Sequence, residues 1–265
     1  MQHCDSDTTF IAFFRGKLEA VKFEDDNIII QKEVEVKVFD MAIQQNGDLI
    51  ISSLENDLKL YNNGDVKSFK SFSPLKTAGV HINKHNQILV GLFESPTPDN
   101  PSAKRVSKHT KVVVMNQKSD IQHTLEFDTD NQRLFTLPFR IKTLNDKILV
   151  VDLINQNFNG TVLALDYGGQ LQWTYKGCGS VDINDTEFTP HDIAVSSDMI
   201  VVSDFSNHAL HILSPTGEII LCKDIFHLGI IHPFSLDFDK NGVMWMGCGM
   251  GTNKPQTSIC ALKLV

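Results

Sequence analysis

The chain has 265 residues, 42% of them hydrophobic, and a formal net charge of −8. That length and apolar share suffice for one substantial core, since all-β domains commonly reach this size undivided. The acidic balance excludes a surface given over wholly to nucleic acid. Five scattered cysteines without C-x-x-C spacing exclude a zinc finger or a thioredoxin-type site.

The first residues, "MQHCDSDTTF", carry neither a basic region nor an apolar core, so no signal peptide is read there. Residues 1–9 read as a disordered tail and 10–265 as one domain. No apolar run approaches the ~20 residues that span a bilayer, and a soluble cytoplasmic protein is expected. The segment 10–37 holds about three strands. From there the chain repeats itself. "FDMAIQQNGDLIISSLENDLKLYNNGDVKSF" (39–69) runs strand, Asn-Gly turn, apolar strand, polar link, strand, Gly turn, strand. The same order returns at 137–175, 188–220 and 232–265, and in a more divergent copy at 78–93 that resumes at 110–127 after an insertion.

With Ile43, Ile82, Thr143, Val195 and Phe238 taken as equivalent, the spacings are 39, 61, 52 and 43 residues. A period of this size marks a repeat architecture. The runs "DLIIS", "QILVGL", "KILVVD" and "MIVVSD" are apolar at consecutive positions and bounded by turn residues, so they are strands buried on both faces. Two-residue turns require antiparallel pairing, and small antiparallel sheets stacked radially give a β-propeller. Five units plus the N-terminal segment make six four-stranded blades. Because the last unit stops at its third strand, both chain ends are expected to complete one blade and close the ring.

In such a propeller the loops entering each blade share a face with those joining its second and third strands. That face would gather Lys76, Lys104, Arg105, Lys108, His109, Arg133, Phe135, Arg140, Asn157, Phe158, His191, Phe205, Asn207, His208, His232 and Lys254. Basic groups interleaved with aromatics suit an acidic protein partner or the phosphates and bases of RNA.

Other constellations read as architecture. "DFDKNG" (237–242) has calcium-loop offsets, but Cys248 stands where a bidentate Glu belongs, and an Asn-Gly hairpin explains the same residues. His208 and His211 lack a third ligand nearby, and nothing marks a histidine partner for Cys178. Asp152 and Asp204, at equivalent strand ends, are expected to accept hydrogen bonds from the turn that follows. No cofactor or metal is expected.

The unit at 188–220 resembles the NHL repeat through Pro190, Ile193, Asp204, Asn207, His208 and Gly217, with Pro138, Ile141, Asp152 and Gly168 matching in part. The whole chain resembles the C-terminal propellers of invertebrate tripartite-motif proteins. This resemblance implies a non-catalytic recognition module for protein substrates of ubiquitin ligation, or for RNA. The cysteine and histidine spacing of a RING or B-box does not occur in this chain, so a longer form or a partner would have to supply the ligase. A metal-dependent lactonase or esterase is the remaining alternative, with Asp40, Asp192 and Asp237 as the inner-strand carboxylates it would draw on.

Overall fold

A computed structural model describes residues 1–3, 8–13, 16–24, 27–94, 109–179, 186–250 and 256–263. Its strands form six antiparallel sheets, the blades of a six-bladed β-propeller. They divide between two compact units of three blades each.

The first unit holds β1 (Gln2–His3), β2 (Thr9–Phe13), β3 (Lys17–Glu24) and β4 (Asn27–Glu35) in one sheet. Its second sheet is β5 (Asp40–Ile43), β6 (Leu49–Ser52), β7 (Asp57–Asn62) and β8 (Asp65–Ser71). Its third is β9 (Lys76–Ile82), β10 (Ile88–Phe93), β11 (Thr110–Met115) and β12 (Ile121–Leu125). The second unit begins with β13 (Pro138–Leu144), β14 (Lys147–Leu153), β15 (Gly160–Asp166) and β16 (Leu171–Tyr175). Next come β17 (Pro190–Val195), β18 (Ile200–Asp204), β19 (Ala209–Leu213) and β20 (Ile219–Asp224), and last β21 (Ile230–Phe238), β22 (Met244–Met250) and β23 (Gln256–Leu262).

Burial follows from residue type. The second strands, β6, β10, β14 and β18, are buried along nearly their whole length, as consecutive apolar residues require. Fourth strands such as β12 and β20 are mostly exposed and polar-flanked. In the second unit Ala194, Val201, Leu236, Met244 and Met246 join two blades in one cluster. In the first, Ala42, Ile50, Val80 and Val90 do the same. The residues aligned by sequence, Ile43, Ile82, Thr143, Val195 and Phe238, all fall at or next to the end of a first strand.

Two expectations change. Gln2 and His3 pair with Phe10 and Thr9, so part of the segment read as a tail is strand. The first sheet takes all four strands from residues 2–35 and the last is β21–β23 alone, so the two chain ends do not share a blade. The N-terminal segment already supplies a short first strand, which leaves no strand for the C-terminus to add there.

Candidate functional site

In the second unit β13 and β17 open with a proline and β21 carries a His-Pro pair at its third and fourth residues, and each strand has a bulge at that point. Register breaks between Pro138 and Arg140, between Pro190 and Ile193, and between Ile231 and Ser235. A bulge inserts an unpaired residue and re-aims its side chain, and proline, lacking a ladder donor, favours such a place. Here the residues re-aimed are Phe139, His191 and His232.

They meet rings from the connections between second and third strands. His191 stacks on Phe205 with centroids 4.7 Å apart, and Phe205 stacks on His232 at 4.4 Å. His232 meets His208 edge-on at 4.6 Å, and His208 stacks on Phe226 at 5.6 Å. At the other end Phe139 packs edge-on against His191 at 5.4 Å, with Phe158 tilted beside it at 6.0 Å. The result is a continuous ladder of aromatic and imidazole rings across three blades. Phe158 and Phe226 are half exposed, at 51% and 50%.

Backbone geometry fixes this ladder. Phe158, His208 and His232 hold left-handed φ values of 62°, 51° and 50°. Asparagine tolerates that region, but a bulky ring does not adopt it without tertiary support, and such strain concentrates at functional sites. His232 Nδ1 lies 3.2 Å from the Phe205 carbonyl, which can only accept, so Nδ1 carries the proton. The backbone N–H of His232 donates to His208 Nδ1 at 3.1 Å, so that nitrogen is bare. Both tautomers are thereby set by main-chain groups.

Two imidazoles of the ladder are shifted toward their neutral forms. Burial, and then the Arg140 charge, hold the His191 imidazole down to about 4, and burial with the neighbouring His232 lowers His208 as well. Arg140 lies 4.7 Å over the Phe139 ring and 3.7 Å from Asp192 Oδ1, so its charge is largely answered.

Of the expected residues, Arg140, Phe158, His191, Phe205, His208 and His232 come together. Phe135 does not join them, because it is 3% exposed and part of the core. Asn207 is fully buried and donates to Asp204 Oδ2 at 2.9 Å and to the Thr186 carbonyl at 3.2 Å, a structural role. Arg133 sits 5.0 Å over the Phe127 ring on the surface, and Asn157 is exposed with its N–H on Asn155 Oδ1. Lys76, at the start of β9, and exposed His109 belong to the first unit. Lys104, Arg105, Lys108 and Lys254 lie outside the described residues. Phe139 and Phe226 went unread. A Pro-Phe-Arg opening in a strand is the signal that points to the first, and nothing local marks the second.

The other constellations resolve as well. Asp152 accepts the N–H groups of Thr136 and Leu137, and Asp204 those of Thr189 and, at 3.4 Å, Asn207. The donors to Asp152 thus lie in the segment leading into the same blade, whereas Asp204 draws on both that segment, through Thr189, and the turn that follows, through Asn207. Asp239 Oδ1 accepts the N–H groups of Asn241 and Val243 in the β21–β22 hairpin turn, where calcium-loop offsets had been noted. Among the described residues no group of three or more His, Cys, Asp or Glu is arranged to hold a metal. His211 is fully buried on β19, with Nδ1 2.7 Å from the Tyr175 hydroxyl. Its Nε2 is 3.2 Å from Asp204 Oδ2, an ion-pair distance off the line of a good hydrogen bond. Burial raises the Asp204 carboxyl, but His211 and Asn207 outweigh it and hold the group below the usual carboxylate range.

No protein-family model matches the chain, and no curated protein sequence does. Solved structures match throughout. A protein of unknown function from Bacteroides caccae aligns with TM-score 0.63 and 15% identity, over 89% of this chain and 80% of its own. A streptogramin B lyase gives 0.61 and 15%, over 100% and 82%. A chain of a nidogen/laminin complex gives 0.60 and 11%, over 89% and 86%. The likeness is one of fold. At these identities it carries the β-propeller and not an activity. No helix among the described residues is long and apolar enough to cross a membrane.

Proposed function

We propose that this chain is a non-catalytic recognition module that binds a protein partner across the ring ladder of its second unit. The observation that carries this reading is the continuous ring ladder Phe139–His191–Phe205–His232–His208–Phe226, held by main-chain hydrogen bonds, with Phe226 at one end and Phe158 beside His191 at the other both half exposed. Rigid rings give large contact area at small conformational cost, and such anchors supply most of the affinity of protein interfaces. A polyanion is disfavoured by the lowered His191 and His208 imidazoles and by the Arg140 charge paired with Asp192, because phosphate binding rests on uncompensated cations. The nidogen/laminin neighbour, solved as a complex of two proteins, shows that the fold supports such a role, whereas the lyase neighbour shows that it also hosts enzymes.

The pattern of Pro190, Asp204, Asn207 and His208 supports an NHL-type unit, because Asp204 joins Thr189 to Asn207 and so holds the connection that presents Phe205 and His208. On that resemblance the module serves as the substrate-recognition part of a ubiquitin-ligase-type assembly. Its four described free thiols suit a reducing compartment.

The test is selection of a phage-displayed peptide library on the wild-type chain, with counter-selection on Phe205→Ala/His232→Ala. Peptides that bind the wild type and lose at least about tenfold affinity on the variant support the reading. Peptides that bind both equally refute the ladder as the site. Retention of single-stranded RNA that falls steeply with salt would replace it with RNA recognition.

A further inference from the structure

Apart from the ladder, the second unit assembles Tyr175, Cys178, Asp204, His211 and Cys222. Tyr175 closes β16, and Cys178 lies three residues further along, outside any strand. Cys222 on β20 stands directly opposite His211 on β19. Its Sγ is 3.5 Å from His211 Nδ1 and 3.7 Å from the Tyr175 hydroxyl, and the Cys178 thiol is hydrogen-bonded beside it. Neither cysteine is in a disulfide, and both are partly exposed.

A second thiol pair provides the contrast. Cys248 and Cys260 have Sγ atoms 3.5 Å apart, but Cys248 pairs with Ser258 and Cys260 with Met246 across β22 and β23. Such diagonal positions stand about 7–8 Å apart at Cα, wider than the roughly 4.4–6.8 Å a disulfide spans. The paired strands hold that separation. Cys178 lies outside the strand ladders, so no strand pairing fixes its separation from Cys222.

We propose that Cys178 and Cys222 form a dithiol that hydroperoxides oxidise to a disulfide, with the His211 imidazole taking up the Cys222 proton. In the first step the Cys178 sulfur attacks the peroxide, the O–O bond breaks, and Cys178 becomes a sulfenic acid as the alcohol, or water, leaves. In the second, the Cys222 sulfur attacks Cys178, the S–S bond forms and the S–O bond breaks. The Cys222 proton passes through His211 Nδ1 to the departing hydroxyl, which leaves as water. Two thiols and one hydroperoxide yield one disulfide, one alcohol and one water, with two electrons moving from sulfur to the peroxide oxygens. The order follows from environment. Burial, and then the Cys178 thiol, push the Cys222 thiol up to about 12, so it is inert alone and reacts only once Cys178 has become an electrophile. The disulfide would tie the segment leading to His191 onto β20.

The experiment treats the reduced full chain with a few equivalents of hydrogen peroxide and follows intact mass, alkylation and the peptide map. A mass loss of about 2 Da, reversed by dithiothreitol and mapped to Cys178–Cys222, is expected. Cys178→Ser, in a loop and outside the core, abolishes it. Cys222→Ser lets Cys178 advance to sulfinic acid, a gain of about 32 Da. His211→Gln slows closure at least about tenfold while Cys178 sulfenic acid, trapped with dimedone, forms at the wild-type rate. If His211 served only to hold the fold, both steps would change together. The proposal is overturned by a linkage that maps to Cys248–Cys260, by Cys178 passing to sulfinic acid in the wild type, or by all five thiols of the chain staying alkylatable.

Discussion

Asp192, on the first strand of one blade, accepts the backbone N–H of Leu236, on the first strand of the next, at 2.8 Å. Its other oxygen accepts the N–H of Ile193 at 2.8 Å. In the first unit Asp40 does the same for Val80 at 2.9 Å. These inner-strand carboxylates, two of the three on which a metal-dependent hydrolase would draw, are committed to joining blades. Asp192→Ala leaves a buried N–H on Leu236 without its acceptor and is expected to cost about 1–3 kcal/mol. Asp192→Asn, which keeps an acceptor oxygen, costs less. Urea unfolding of the two variants checks this, and equal midpoints would show that the inter-blade bond contributes nothing.

Asp204 holds a different place, between Thr189, Asn207 and the fully buried His211. Asp204→Asn removes the charged acceptor and is expected to destabilise the chain by roughly 3 kcal/mol at neutral pH. The sign of the pH effect follows from the lowered carboxyl. Folding holds that proton more weakly than the unfolded chain does, so the contribution is complete above the ordinary value near 3.8 and is lost as pH falls through the folded value. Denaturation midpoints of wild type and variant should therefore converge below about pH 4. A constant gap from pH 7 to pH 3 would contradict the assignment.

The blades were legible because their information is local. Four apolar runs and their turns set the second strands, and the equivalence of Ile43 with Val195 and Phe238 follows from spacing alone. Phe205, His208 and His232 were legible too, since topology places those connections on one face of a propeller. Phe139 was not, because a bulge rather than alternation decides where it points. Phe135 misled for a related reason: a segment without strand pattern reads as loop, yet here it packs into the core. The state of His191 was not legible at all, because only its burial beside Arg140 holds that imidazole down to about 4.

Gly217 and Gly242, both in turns between strands, separate the backbone and packing parts of a glycine's role. It holds φ at +84°, and a Cβ there would lie 2.5 Å from the Trp173 ring of the preceding blade. Gly242 holds φ at +75° with nothing within 4 Å. Gly242→Ala carries only the left-handed penalty, about 1–2 kcal/mol. Gly217→Ala carries that penalty plus displacement of an indole, and a total of about 2–4 kcal/mol is expected. Thermal unfolding of the pair measures the difference. Equal losses would mean that Trp173 moves aside freely.

His191 provides the sharpest pH test of the ladder. Its Nδ1 is buried without a hydrogen-bond partner, and its ring is held neutral between Phe139, Phe158 and Phe205, facing Arg140, Asp192 and His232. The folded value is about 4 against an ordinary 6.5, so the unfolded chain binds the proton first as pH falls. Stability from this group is whole above about pH 6.5 and is withdrawn between there and pH 4. His191→Phe keeps a ring in the stack, removes the unpartnered nitrogen and cannot titrate. The variant is expected to match or exceed the wild type in urea at pH 7, and its advantage should widen at pH 5. A margin that stays the same at both values would show that His191 titrates in the folded ladder as it does in water, and the neutral form assigned to its ring would fall with it.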